Sequence, residues 1–260
     1  MKTMSLANLP ATLGLGKWLE YQRPFRHFRA FNVFTDDVYV ALERNFLSLL
    51  SGECDARPGF AKTDSRYDAL MLGVQSSIAP LFFPLFTREW HDLITHLVGV
   101  RATGYVDGGL HHHPIGSADG WIHNDLCQGW FPESNPTDGV VLSDHELCDY
   151  RTGEPLSAEV KPLCLVRSVA LIFFLANCKW APGAGGETGL YSTPYDEISQ
   201  PDAVVEPENN SLVLFECSPH SYHCYLQNHY SERNSIVLWA HSTPEIAAMK
   251  YGRFCIQGWT

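Results

Sequence analysis

The chain has 260 residues, 45% hydrophobic and 12% aromatic, with 18 Lys and Arg against 29 Asp and Glu for a net charge of −11. A chain of this length buries roughly three quarters of its unfolded surface, so a disordered or fibrous protein is excluded and no disulfide scaffold is needed. The acidic balance repels phosphate backbones and anionic lipid, and no basic patch offsets it, so neither nucleic acid nor membrane is an expected partner.

Met1 to Gly16 lacks a charged segment followed by a continuous apolar one and does not read as a secretory signal. The longest apolar run, Val169 to Ala176, falls far short of the ~20 residues of a membrane helix. Eight cysteines, at 54, 127, 148, 164, 178, 217, 224 and 255, form no C-x-x-C pair. They are expected to be reduced thiols in a cytoplasmic protein.

Thr35 before Asp36 and Asp37 predicts a helix start, with Val38, Leu42, Phe46 and Leu49 recurring at helical spacing. Ala79 to Leu85 is an apolar connector broken by Pro80 and Pro84. A second helix is expected after Thr87, with Trp90, Leu93, Ile94 and Leu97 on one face. Residues 1–98 thus read as a helical N-terminal part. From about residue 99 the texture changes to short β-rich runs separated by turn residues. Val166 to Leu175, Ser211 to Glu216 and Ser235 to Ala240 are the clearest strands. Helices followed by many short strands predict one α+β domain over residues 1–260, its core from about 99 to 260 an antiparallel sandwich or jelly roll. Pro132 to Pro162 reads as a long surface loop or lid.

Twelve histidines invite a search for metal ligands. In a strand, residues i and i+2 share a face, so His123 and Asp125 present an imidazole and a carboxylate side by side. Downstream, the strand from Asn209 runs into Ser221-Tyr-His223. Ten residues further, Arg233-Asn-Ser235 opens another strand. Two histidines and a carboxylate on a β scaffold match the facial triad of non-haem Fe(II) oxygenases. An arginine on a neighbouring strand suits the far carboxylate of a dicarboxylate, with Ser235 adding a hydroxyl. His220 competes with His223 as the distal ligand, and the strand-like Cys-Tyr-Leu after His223 favours the latter.

Over residues 99–241 the sequence resembles the prolyl-4-hydroxylase-like branch of the Fe(II)- and 2-oxoglutarate-dependent oxygenases. The resemblance rests on His123-x-Asp125, Arg167 to Asn177 followed by Trp180, the Gly185-Gly-Glu187 turn, Ser221-Tyr-His223 and Arg233 to Trp239. It implies a double-stranded β-helix, a cupin-like jelly roll, behind supporting helices. It implies Fe(II) on His123, Asp125 and His223, with 2-oxoglutarate and O2 as co-substrates. Arg233 and Ser235 would hold the 2-oxoglutarate C5 carboxylate, and Tyr105 matches a family tyrosine that touches the co-substrate. Phe174 stands where some members carry a tyrosine, and Leu110 to Gly120, with His111 to His113, is an insertion relative to prolyl hydroxylases. With Asp125 present, hydroxylation is favoured over halogenation.

The expected substrate is a small molecule, a free amino acid or natural-product intermediate, with a protein side chain second. A non-catalytic metal-binding jelly roll has no need of Arg233. Nucleophilic catalysis through Cys217 or Cys224 with His220 has no orienting partner. His111 to His113 read as a solvated loop or substrate entrance, and His91 and His96 as surface residues. Trp121, Trp130 and Phe131 are candidates for a substrate wall. Arg66, Tyr67, Asp144 and Arg151 lie on segments able to reach a substrate, and Cys127 and Cys224 are expected only to pack.

Overall fold

The structure, a computed structural model, describes residues 12–53, 59–136 and 139–258. In chain order it contains β1 (Lys17–Tyr21), β2 (His27–Phe31), α1 (Asp36–Leu50), β3 (Ala61–Lys62), β4 (Leu70–Gly73), α2 (Arg88–Val98) and β5 (Tyr105–His113). There follow β6 (Gln128–Pro132), β7 (Val141–Leu142), β8 (Pro162–Phe174), β9 (Thr188–Tyr191) and β10 (Ala203–Val205). The chain ends in β11 (Ser211–Glu216), β12 (Tyr222–Tyr225), β13 (Arg233–Ser242) and α3 (Pro244–Tyr251).

Both expected helices form where their start signals stand. The Thr87 hydroxyl accepts from the Trp90 amide at 3.3 Å, and Gly99, in the left-handed conformation at φ +81°, ends α2. The N-terminal part is not purely helical, however. β1 and β2 are strands of the main sheet, ordered β1-β2-β11-β8-β13-β5-β4-β3, with β6 beside β8 and β7 beside β5. Their period is 2: Phe28 and Ala30 face the core, and register pairing to β11 satisfies the backbone. A small sheet, β10-β9-β12, covers the other side.

Two apolar layers hold this architecture. Leu42 and Phe46 of α1 and Trp90 and Ile94 of α2 pack on Leu171 and Phe173 of β8 and Leu238 of β13. The alternate residues, Ile172, Phe174, Val213, Phe215 and Val237, face Leu190 and Val205 of the small sheet. From Val169 to Phe174 β8 is buried on both faces, which explains why that stretch is continuously apolar rather than alternating. The result is the double-stranded β-helix, with the space between the two sheets as its interior.

Three expectations are corrected. His111 to His113 are buried within β5, because that strand is paired on both edges, by β4 and β13. His91 is also buried, on the α2 face with Trp90 and Ile94, while His96 is exposed as expected. Residues 132–162 are not a free loop: they include β7, and Tyr150 is anchored in a cluster with Tyr105, Phe131 and Leu165. Cys54 lies outside the described residues; the other seven cysteines form no disulfide. Among the described residues no helix is long and apolar enough to cross a membrane.

Candidate active site

The site is built on a two-residue antiparallel bridge. His123 donates its amide to the His223 carbonyl at 3.1 Å, and His223 returns the bond at 2.9 Å. The exchange brings the two imidazoles to 4.5 Å between ring centres. His123 Nδ1 donates to the Trp121 carbonyl at 2.9 Å and His223 Nδ1 to the Ser221 carbonyl at 3.1 Å. A carbonyl can only accept, so both rings carry their proton on Nδ1 and turn the Nε2 lone pair inward.

Asp125 completes the group. Its two carboxylate oxygens lie 3.8 Å from His123 Nε2 and 3.4 Å from His223 Nε2. The three side chains offer ligand atoms all within 4.8 Å of one another, and this is the one such group of His, Cys, Asp and Glu among the described residues. Burial alone would raise the Asp125 pKa, but His223, then Arg167 and His123, outweigh it and hold the carboxyl well below the usual range. Burial and the neighbouring His223 lower His123 to about 4. A neutral imidazole and an ionised carboxylate are the forms a metal ion requires. His123 keeps 37% of its side chain exposed, so the group is reached from that side.

Behind Asp125 stands a fully packed polar layer. Arg167 donates to Asp125 Oδ1 at 3.3 Å and to the Tyr150 hydroxyl at 3.0 Å, pairs with Asp107 at 3.5 Å, and lies 3.6 Å over the Trp239 ring. Trp239 Nε1 donates to Asp125 Oδ2 at 2.9 Å. Ser143 donates to Asp107 at 2.5 Å, and Tyr150 bonds His241 at 2.8 Å. These contacts fix the carboxylate's orientation before any ion arrives.

Arg233 opens β13. It is 4% exposed, donates to Ser235 Oγ at 2.7 Å and to Thr188 Oγ1 at 3.2 Å, and lies 5.1 Å over the Phe174 ring. Its Nε is buried with no partner, and no carboxylate pairs with it among the described residues. Burial lowers its pKa from the ordinary value for want of a counter-charge. A buried cation left in that state is a site for an anion.

The structure therefore brings His123, Asp125 and His223 together, and Arg233 with Ser235. It does not bring Tyr105 to them. Tyr105 pairs across the sheet near Val141, eight residues along β5 from His113, the partner of Arg233. Its hydroxyl donates to the Ser134 carbonyl and accepts from the Ser134 amide at 3.0 Å. That hydroxyl is engaged by the Ser134 backbone. Of the three aromatics, Trp121 alone borders the site, its ring 5.9 Å from His123 and half exposed. Phe131 belongs to the Tyr105 cluster, and Trp130 packs on Gly153.

Thr188 and Tyr225 were not foreseen, whereas Tyr67 stood among the residues expected to reach a substrate. Thr188 follows directly on the Gly185-Gly-Glu187 turn, and only the pairing of β9 with β12 turns it toward Arg233. His220 is exposed, whereas His223 is buried in the triad. Cys127 and Cys224 are buried and raised to about 11, and burial also pushes the Cys217 thiol well up from its ordinary value, so none is a nucleophile.

Residues 146–241 match the 2OG-Fe(II) oxygenase superfamily. That span includes His223 and Arg233 and leaves out His123 and Asp125. A prolyl-4-hydroxylase of Pseudomonas putida shares the fold, with a TM-score of 0.50 and 14% identity over 83% of this chain and 91% of that one. A Trichoplax adhaerens prolyl hydroxylase, solved with a peptide fragment of the hypoxia inducible factor oxygen degradation domain, gives 0.53 and 13% over 86% of both chains. No curated protein matches the sequence. The family match over residues 146–241 and the shared fold support a likeness to the Fe(II)- and 2-oxoglutarate-dependent dioxygenases, whose members use Fe(II), 2-oxoglutarate and O2. Its fold is the one these two prolyl hydroxylases share.

Proposed function

We propose that His123, Asp125 and His223 hold Fe(II), that Arg233 with Ser235 and Thr188 clamps the far carboxylate of 2-oxoglutarate, and that the enzyme hydroxylates an unactivated C–H of a small molecule. The carrying observation is the buried guanidinium of Arg233, with no carboxylate partner among the described residues, bonded to Thr188 of β9, the strand that pairs with β12 and so with His223 of the converging His-Asp-His group. When bound, Fe(II) would supply the activation of O2, which is the oxidant: one oxygen atom would pass to succinate as 2-oxoglutarate is oxidised with loss of CO2, and the other into the substrate C–H. The chain's own residues do the rest. The two Nδ1–carbonyl bonds keep both imidazoles presented as ligands, Arg167 and Trp239 hold the carboxylate, and Phe174 and Tyr225 keep water from the clamp.

A free amino acid is the favoured substrate, and the rim of the site supports this. Arg66 lies 5.5 Å over the exposed Trp121 ring and is paired with Asp64 at 3.0 Å. The neighbouring Tyr67 turns inward to His113 and Trp121. A cation, an anion and an aromatic face at one mouth complement a zwitterion with an apolar side chain. The second reading, a peptidyl substrate, draws on the peptide in the Trichoplax neighbour.

The test is anaerobic. Fe(II) followed by 2-oxoglutarate should produce a visible charge-transfer band that weakens in Asp125→Ala and Arg233→Ala. Succinate release should then respond to free amino acids and not to peptides. Metal binding without a band sinks the oxygenase site; turnover of peptides alone sinks the substrate assignment.

A further inference from the structure

Opposite residues of an antiparallel pair share a face, so Asp107, Gly109, His111 and His113 of β5 look into the same interior as Trp239, Val237, Ser235 and Arg233 of β13. The clamp lies at the level of the last two pairs and the Asp125 end at the level of Trp239, which bonds that carboxylate. Between the two levels stands His111. It is 7% exposed, and its Nε2 is buried with no hydrogen-bond partner among the described residues. Orphaned buried nitrogens are rare because each forfeits its bond to water, and one facing a ligand cavity points to a partner yet to arrive.

The direction of the ring is set by its neighbour. A Cβ on Gly109 would lie 3.3 Å from His111 Nε2, so the imidazole leans back along β5 over the glycine. That lean carries the nitrogen from the Ser235 level toward the Val237 level, on the way to Asp125. The charged groups acting on it are Arg233, Arg167 and Asp125, one from the clamp and two from the metal end. With burial the main cause, its pKa is lowered to about 3, and the ring is neutral, with one N–H to give. His111 is not a member of the metal-ligating group. His113, by contrast, is a wall: it stacks on Tyr225 at 3.8 Å and bonds the Tyr67 hydroxyl at 2.8 Å.

We propose that His111 contacts the co-substrate directly, its Nε2–H donating to a carboxylate oxygen of 2-oxoglutarate held between Arg233 and the His-Asp-His group. The proposal rests on the function proposed above. It gives the 111–113 insertion a place in co-substrate binding.

The experiment uses the full chain under anaerobic conditions, loaded with Fe(II) and titrated with 2-oxoglutarate, beside His111→Leu and His111→Gln. Leucine keeps bulk and removes the donor, while glutamine restores an N–H. A hydrogen bond to a charged oxygen predicts that His111→Leu raises the 2-oxoglutarate Kd by about tenfold or more and shifts the charge-transfer maximum. His111→Gln should stay within about threefold of the parent. Affinity for Mn(II) alone should be unchanged in both. Parent-like 2-oxoglutarate binding with an unshifted band in His111→Leu would overturn the proposal. So would a glutamine variant as weak as the leucine one, which makes the ring a spacer, or loss of Mn(II) binding, which makes it a support of the metal ligands. Absence of the band in the unsubstituted chain is a separate failure, that of the proposed function itself.

Discussion

Replacing Arg167 by Met keeps length and apolar stem while deleting the guanidinium at the centre of the buried polar layer. Four contacts go at once: Asp125 at 3.3 Å, Asp107 at 3.5 Å, Tyr150 at 3.0 Å and the Trp239 face at 3.6 Å. Arg167 and both carboxylates are each under a tenth exposed, so water cannot take its place. Removing one partner of a buried ion pair costs about 3–5 kcal/mol, chiefly by stranding the other charge. Here two carboxylates are stranded, which puts the loss at the upper end, offset in part by the donors from Ser143 and Trp239 that remain. For a chain of this size that is a fall in Tm of roughly 10 °C or more. Urea denaturation of the metal-free protein measures it. Adding Asp107→Asn should recover part of the loss, because one stranded charge is removed. Saturating Mn(II), which neutralises Asp125, should recover more. An Arg167→Met protein within about 0.5 kcal/mol of the parent, the range of ordinary surface changes, would refute this account of the layer.

Four further outcomes are expected. His111 and His241, each lowered to about 3, and His123, lowered to about 4, are all shifted mainly by burial and must gain a proton on unfolding below about pH 6.5. Stability of the metal-free chain should therefore fall as pH drops from about 6.5 to about 4, by up to about 1.4 kcal/mol per pH unit per histidine. Equal urea midpoints at pH 7 and pH 5 would contradict it. Gly186 has φ +81° and a would-be Cβ 3.4 Å from Arg233, so Gly186→Ala should lose about 1 kcal/mol by denaturation and weaken 2-oxoglutarate binding, whereas Gly139→Ala, where a Cβ meets nothing, should do neither. Phe46→Ala, at a fully buried position of α1, should cost about 3–5 kcal/mol and leave the Fe(II)·2-oxoglutarate band in place at low temperature. Exposed Cys178 should react with a thiol reagent in the native state, and Cys127, Cys217 and Cys224 only on unfolding, as mass mapping of the labelled peptides would show.

Local signals were enough for α1 and α2, whose caps and apolar spacing are written within a dozen residues each, and for β8 and β11, whose β-branched and aromatic runs admit little else. The same holds for the ligand candidates. The order His-x-Asp, His, Arg-x-Ser is legible without coordinates, although His123 and Asp125 lie between β5 and β6, with His123 on an isolated bridge, rather than within the strand that period 2 assumed. The sequence could not choose where short polar strands pair. β1 and β2 carry weak signals of their own and become strands by docking on β11. Strand β5 reads as a turn-rich histidine insertion, and it is buried only because β4 and β13 flank it. Tyr105 shows the same limit, since it lies eight positions along the strand from His113, the partner of Arg233, roughly 26 Å at ~3.3 Å per residue. The residues able to bind a metal were thus determined by side-chain type and spacing. Which groups stand around them, Arg167 and Trp239 behind Asp125, Thr188 beside Arg233, His111 over Gly109, was decided by sheet register, a long-range pairing that local sequence does not encode.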